Sequence, residues 1–230
     1  MQSTQAQAVF ILGDLFEVWV GDDVVNAMSA TSGAEDDFEL SCARTLKSCA
    51  GQRDVFFMRG NRDFLVGETF TRACDVQLLD DPCVLTFGAQ RWLLSHGDAL
   101  CLDDTDYMRF RAQVRSAGWQ QEFLAQPLAQ RKTIARALRA RSEALKRTHP
   151  LWVDVDAPQA IAWLKAADSM RLIHGHTHRP ADHLLDGKLQ RSVLSDWDLR
   201  ADPPRAEVLR ITADASDGPA TVLRLAPEAA

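Results

Sequence analysis

The sequence predicts an α/β layered fold, and three observations carry that expectation. Short apolar runs recur along the chain, each run ends in Gly beside Asp, Asn or His, and a helical segment separates the first two. Ala8–Leu12 reads as a buried strand running into Gly13-Asp14. Phe38 to Cys49 carries the helical pattern that follows. Asp54–Met58 then runs into Arg59-Gly-Asn-Arg-Asp63, Arg91–Leu94 into Ser95-His-Gly-Asp98, and Met170–Ile173 into His174-Gly-His-Thr-His178. In α/β sheets ligands sit at the carboxyl ends of the strands. Those ends here carry Asp14, Asn61, His96, His174 and His176, so the expectation is one shared site. The glycines beside them permit sharp turns and close backbone approach.

The segment from about Phe110 to Pro150 is of another kind. Ile134, Leu138 and Leu145 fall near helical spacing among Arg131, Lys132, Arg136, Arg139, Lys146 and Arg147, behind Trp119, Phe123, Leu124 and Leu128. The pattern predicts a basic, amphipathic helical hairpin inserted over 110–150 between core strands; an ordinary surface helix pair fits the same periodicity. After Pro180, runs around Ser192–Leu194, Ala206–Thr212 and Thr221–Leu225 are expected to close the second sheet.

Composition bounds the function. The chain has 230 residues, 46% hydrophobic and 25% charged, which suits a single domain over 1–230 carrying the insertion. Its net charge is −6, yet from Tyr107 to Pro150 ten Lys and Arg face two acids, Glu122 and Glu143. A nucleic-acid binder of uniformly basic character is not expected, and a local surface for an anionic ligand or anionic membrane is. Five cysteines without a CxxC spacing argue against a disulfide scaffold or thiolate zinc site and suit a cytoplasmic location. No run approaches membrane-spanning length, and the first ten residues hold no Lys or Arg, so no signal peptide is expected.

Asp, Asn and His are oxygen and nitrogen ligands, suited to Mn, Fe or Zn rather than Ca. Two such ions can hold a phosphoryl group and lower the pKa of a water, so no Ser or Cys nucleophile is required. His174 and His176, two apart, face one side of an extended backbone. Taken singly, Asp14, Asn61 or His96 is most often a turn or core residue; His-Gly-His-Thr-His is the rarer signal. His178 and His183 are read as ordinary histidines, and Asp22, Asp23, Asp63 and Asp98 as turn or supporting carboxylates.

Gly13-Asp14, Gly60-Asn61-Arg62-Asp63, His96-Gly97-Asp98 and Gly175-His176-Thr177-His178 together resemble the calcineurin-like metallophosphoesterases. The longer strings Ile11–Asp23, Gly60–Gly67, His96–Asp104 and Ile173–Pro180 resemble, within that superfamily, the UDP-2,3-diacylglucosamine hydrolases (pyrophosphatases) of lipid A biosynthesis. The resemblance implies a four-layer α-β-β-α metallophosphoesterase sandwich with an inserted helical lid. It implies two Mn2+ ions: Asp14 bridging, Asn61, His96 and His174 completing one, and His176 serving the other. Asp14, Asn61 and His96 are the catalytic set by the same resemblance. Asn61, Arg62, Asp104, Ser142 and His174 would contact an anionic glycolipid, UDP-2,3-diacylglucosamine. Lys146 and His149 stand where the family's lid carries Asn and Lys. The inner-membrane surface is the implied partner, with Trp19 and Phe110 lining an acyl groove or, equally, packing in the core.

The family also carries an Asp-x-His on an earlier strand. None of the thirteen residues before Asp14 is Asp, Glu, His or Cys. The expectation is therefore a sandwich missing its first strand, one incomplete metal site, poor stability and little activity. A start lying further upstream and a degenerate, lipid-binding paralog are the two explanations. Another metallophosphoesterase acting on a soluble nucleotide or phosphoprotein is the alternative function.

Overall fold

The computed structural model describes residues 4–25, 38–148, 154–214 and 218–226, the side chains of 141 and 143–148 excepted. The chain divides into two compact units, residues 1–79 with 104–153 and residues 80–103 with 154–230.

The first unit opens with β1 (Ala8–Leu12), followed by α1 (Phe38–Ala50), β2 (Asp54–Met58), α2 (Glu68–Ala73) and β3 (Gln77–Leu79). The three strands form one parallel sheet in the order β1-β2-β3. β1 was expected to be buried. Only Leu12 is; Ala8–Ile11 are partly buried, because among the described residues β1 has a strand neighbour on one side only. The core gathers Leu46, Val55, Phe57 and Phe70 around Phe16 and Trp19, whose rings lie 4.5 Å apart. Trp19, at 2% exposure, is core. Burying aromatic side chains of this kind stabilises by about 2–3 kcal/mol each.

Three helices return to this unit: α3 (Thr105–Val114), α4 (Ala117–Leu124) and α5 (Leu128–Thr148). Asp104 caps α3 by accepting from Tyr107 N, and Ser116 caps α4 by accepting from Trp119 N. Apolar residues of α4 and α5, among them Phe123, Leu128 and Ile134, pack on the core. Where the sequence pattern predicts a helical hairpin over 110–150, the described residues form three helices, the first beginning at Thr105. Pro127 separates the last two because its ring lacks the N–H a continuing helix needs.

The second unit has a five-stranded sheet, β4-β5-β6-β8-β7, built from β4 (Cys83–Phe87), β5 (Gln90–Ser95), β6 (Arg171–His174), β7 (Ala181–Asp186) and β8 (Leu189–Val193), with α6 (Ala157–Ala166) before β6. β5, β6 and β8 run parallel. β9 (Val208–Ala213) and β10 (Ala220–Leu225) were expected to join the same sheet. They pair only with each other among the described residues, as a separate antiparallel hairpin. Their alternation fits any half-covered strand, so the pattern alone could not assign the partner.

Candidate metal centre

In the first unit, β1 and β2 are adjacent and parallel, and Leu12 pairs with Met58 at their last register position. The residues that follow, Gly13-Asp14 and Arg59-Gly60-Asn61, therefore leave the sheet side by side. Asp14 takes a left-handed backbone with φ 57°, a conformation that costs a non-glycine residue unless its surroundings hold it. Two contacts do so. Asp14 Oδ1 accepts from Arg62 N at 2.9 Å, and the Arg62 guanidinium lies 3.5 Å from Oδ2. Gly60 leaves the room: a Cβ there would sit 2.5 Å from Asp14 N and closer still to its Oδ1. Asp63 buckles the two loops together. Its fully buried carboxylate accepts from Gly60 N at 2.7 Å, Leu15 N at 2.8 Å and Phe16 N at 3.4 Å.

The neighbouring acids also hold turns. Asp22 accepts from Gly67 N, Phe70 N and Trp19 Nε1, and Asp23 pairs with Arg131 of α5. Two residues that sequence reasoning did not select complete this region. Glu17 pairs with Arg62 at 2.7 Å and with Arg139 of α5. Arg115 donates to Gly60 O at 3.0 Å. Nothing local distinguishes Glu17 or Arg115 from other charged residues, because their partners are far away in sequence.

In the second unit, Ser95 pairs with His174 at the last position shared by β5 and β6. Gly175 N continues the ladder by donating to His96 O at 3.0 Å, so His96 and His174–His176 also emerge from neighbouring parallel strands. His176 is left-handed, φ 65°, and its ring stands edge-on to His96 with centroids 5.2 Å apart. The hydrogen bond from Arg205 holds the Asp196 carboxyl below its usual value, and His178, also left-handed, adds to it electrostatically. Gly97 has φ 106°, and a Cβ there would sit 2.7 Å from His174 Nδ1. Ser95 Oγ donates to Asp81 Oδ1 at 2.6 Å and accepts from Gly97 N at 3.0 Å. Asp81, also missed in the sequence, accepts from His96 N at 3.3 Å, and burial pushes its carboxyl above the usual range. Asp98 is fully buried in the turn after His96.

His174 is fully buried, and burial pushes its pKa down to about 4. Its Nδ1–H faces Gly175 O at 2.9 Å, which leaves Nε2 as the lone-pair nitrogen. That Nε2 is buried with no hydrogen-bond partner among the described residues. A neutral imidazole with one nitrogen tied to a backbone carbonyl and the other bare is the form a metal ligand takes. Each unit offers donors of a kind that suits a divalent transition ion: a carboxylate and a carboxamide at the strand ends of the first, three imidazoles at those of the second.

The substrate-contact residues stand as follows. Arg62 flanks Asp14. Asp104 caps α3 through Oδ1. Ser142 is exposed on α5. Lys146 lies on α5 with its side chain outside the described residues, and His149 lies outside them entirely. Phe110 is 38% exposed. Arg131, expected to be part of a basic surface, is instead 2% exposed. Its guanidinium is held by Asp23 and by the carbonyls of Val20 and Gln126. Lys132 and Arg136 remain exposed.

No protein-family model matches the chain. A UDP-2,3-diacylglucosamine hydrolase of Chromohalobacter salexigens is 43% identical over 216 residues, covering 91% of this chain and 82% of that protein. One of Chromobacterium violaceum is 48% identical over 193 residues, covering 83% and 76%. One of Xanthomonas axonopodis pv. citri is 42% identical over 220 residues, covering 91% and 83%. Similarity of this extent and coverage means that the chain belongs to the UDP-2,3-diacylglucosamine hydrolase family.

Proposed function

We propose that this chain hydrolyses the pyrophosphate bond of UDP-2,3-diacylglucosamine on the lipid A pathway. The oxygen of water bonds to the α-phosphorus while the bond from that phosphorus to the bridging oxygen breaks. UMP leaves with the new oxygen, and 2,3-diacylglucosamine 1-phosphate leaves with the bridging one. The observation that carries the reading is His174, buried and neutral with a bare Nε2 at a strand end, in a chain whose relatives bear this enzyme's name.

Asp14, Asn61, His96 and His174 would hold one divalent ion, and Asp14 with His176 a second; manganese is the ion proposed. Such ions, when bound, activate water and neutralise charge on phosphoryl oxygens. The chain's own residues do the remainder. Arg62 orients the Asp14 carboxylate and offers its guanidinium to a phosphoryl oxygen. The low pKa of His174 keeps its lone pair free of protons throughout the neutral range. Asp104, Ser142, Lys146 and His149 are proposed to contact the substrate.

A peripheral position on the anionic inner-membrane surface is supported by exposed Lys132 and Arg136 and by half-exposed Leu138 on the same helix. No helix among the described residues is long and apolar enough to cross a membrane. With Arg131 buried, the useful test is the Lys132→Glu/Arg136→Glu pair, which should weaken binding to anionic vesicles.

The deciding experiment is release of UMP from UDP-2,3-diacylglucosamine after chelation and readdition of Mn2+. Restored release that exceeds hydrolysis of bis-nucleotides supports the reading. Faster hydrolysis of bis-nucleotides would favour a soluble-substrate phosphoesterase. Lipid binding without turnover, and without Mn2+ in equilibrium dialysis, would favour a non-catalytic binder.

A further inference from the structure

At the opposite end of the five-stranded sheet from the histidines lies a cleft of about 510 Å³. It is lined where β5, β6 and β8 begin, by Arg91, Trp92, Met170, Arg171, Lys188 and Gln190, with β10 along one side. Arg91 precedes His96 by five residues of strand, roughly 16 Å of rise, so the cleft is separate from the candidate metal ligands of this unit.

Its charge is the reverse of its surroundings. The second unit holds ten Lys and Arg against sixteen Asp and Glu. The cleft gathers three of those cations and a single carboxylate, Asp168. Arg171 is already braced there. It donates to Gln190 Oε1, reaches Ser192 Oγ at 3.3 Å, lies 3.9 Å from Asp182 Oδ1, and its guanidinium carbon is 6.0 Å from the centre of the Trp92 ring. A guanidinium held this way loses little entropy when it meets an anion. Arg91 gives its Nε–H to Ala167 O at 3.0 Å, and its two terminal NH2 groups have no partner among the described residues. Lys188 supplies an exposed ammonium on the β7–β8 turn. Met170, 52% exposed, adds an apolar lip.

We propose that this cleft is a second anion site, taking a phosphate or pyrophosphate group through Arg91, Arg171 and Lys188. The group can belong to a soluble phosphate compound or to a phospholipid headgroup, with Met170 contacting the lipid's apolar part. Converging cations of both kinds recognise the shared phosphoryl oxygens in either case.

The test uses the full chain in EDTA, so that metal-dependent binding at the histidines does not contribute. Inorganic pyrophosphate is titrated calorimetrically, and sedimentation is measured with phosphatidylglycerol–phosphatidylcholine vesicles against phosphatidylcholine alone. The comparison protein is the Arg91→Gln/Lys188→Gln pair, with Arg91→Lys/Lys188→Arg as the charge-conserving control and circular dichroism to verify folding. A tenfold or greater loss of pyrophosphate binding in the Gln pair, recovered in the control, supports a site for soluble phosphate. The same loss confined to phosphatidylglycerol vesicles supports a headgroup site. No binding by the unaltered chain in either arm, or equal binding by the Gln pair, overturns the proposal.

Discussion

The two units present their candidate ligands by the same topological device and stabilise them by different physics. In each, two adjacent parallel strands end together and release two loops on one side of a sheet. In the first unit the loops are held by charge-assisted hydrogen bonds: Asp63 accepts three backbone N–H groups and Arg62 braces Asp14. In the second, burial dominates, with His174 fully enclosed and its pKa pushed down to about 4. A carboxylate can be positioned while still polar, because hydrogen bonds stabilise its charged form. An imidazole ligand gains from desolvation, which keeps it neutral and available.

The sharpest way to break this contrast is to remove one ligand from each side. Asp14→Ala and His174→Ala should each lower UMP release by about 10³-fold, equal to roughly 4 kcal/mol of lost transition-state stabilisation. His174→Ala, removing a buried ring, should also lower the melting temperature. A variant retaining more than a tenth of the activity would take that residue out of the centre.

Acid titration tests the burial half. His174 has a folded pKa of about 4 against an ordinary 6.5, so below 6.5 the unfolded chain binds more protons than the folded one. Stability of the metal-free protein should therefore fall as pH drops from 6.5 toward 4, by up to about 3 kcal/mol. Asp23 acts in a lower window. The Arg131 hydrogen bond holds its carboxyl below the usual value of 3.8, so its contribution is present above 3.8 and lost as pH falls through the folded pKa. Denaturant melts across pH 3–7 read both. A flat profile from 6.5 to 4 would contradict the burial of a neutral imidazole.

Steric probes sharpen the comparison further. Gly60→Ala should displace the Asp14 carboxylate and cost about 10²-fold in kcat with the fold retained, since small misplacement of a reacting group costs that much. Gly97→Ala should displace His174 and add the strain of φ 106°, so its melting temperature should fall as well. Equal kcat for wild type and Gly60→Ala would show that Asp14 has room to move.

The smallest expected effects separate two cations one position apart. Arg131→Met leaves the Val20 and Gln126 carbonyls without their donor and should cost about 2 kcal/mol in denaturant unfolding. Lys132→Glu, on the exposed side of the same turn, should change stability by less than about 0.5 kcal/mol.

Much of the fold could be read directly from the chain. The strands at Ala8–Leu12 and Asp54–Met58 and the helix from Phe38 agree with their apolar patterns within a residue or two. β3, β4 and α2 escaped notice because three to six residues carry too little periodicity. In the site, the His-Gly-His string and the Gly-Asp turn were legible, since strand and turn are local events. Asp81 and Glu17 were not, because an acid becomes a positioning group only when a distant backbone or guanidinium comes to meet it.

What the sequence by itself determined is the chemistry offered at each strand end, because ligand type and its place after an apolar run are covalent facts. Only the tertiary structure decided which side chains are withdrawn from water. Arg131 and Lys132 are neighbours of the same charge, yet one is sealed against Asp23 and the other faces solvent. Trp19 and Phe110 are both large aromatics, and only Trp19 is core. The reason is that burial depends on which distant surface arrives, a long-range property that no local pattern encodes.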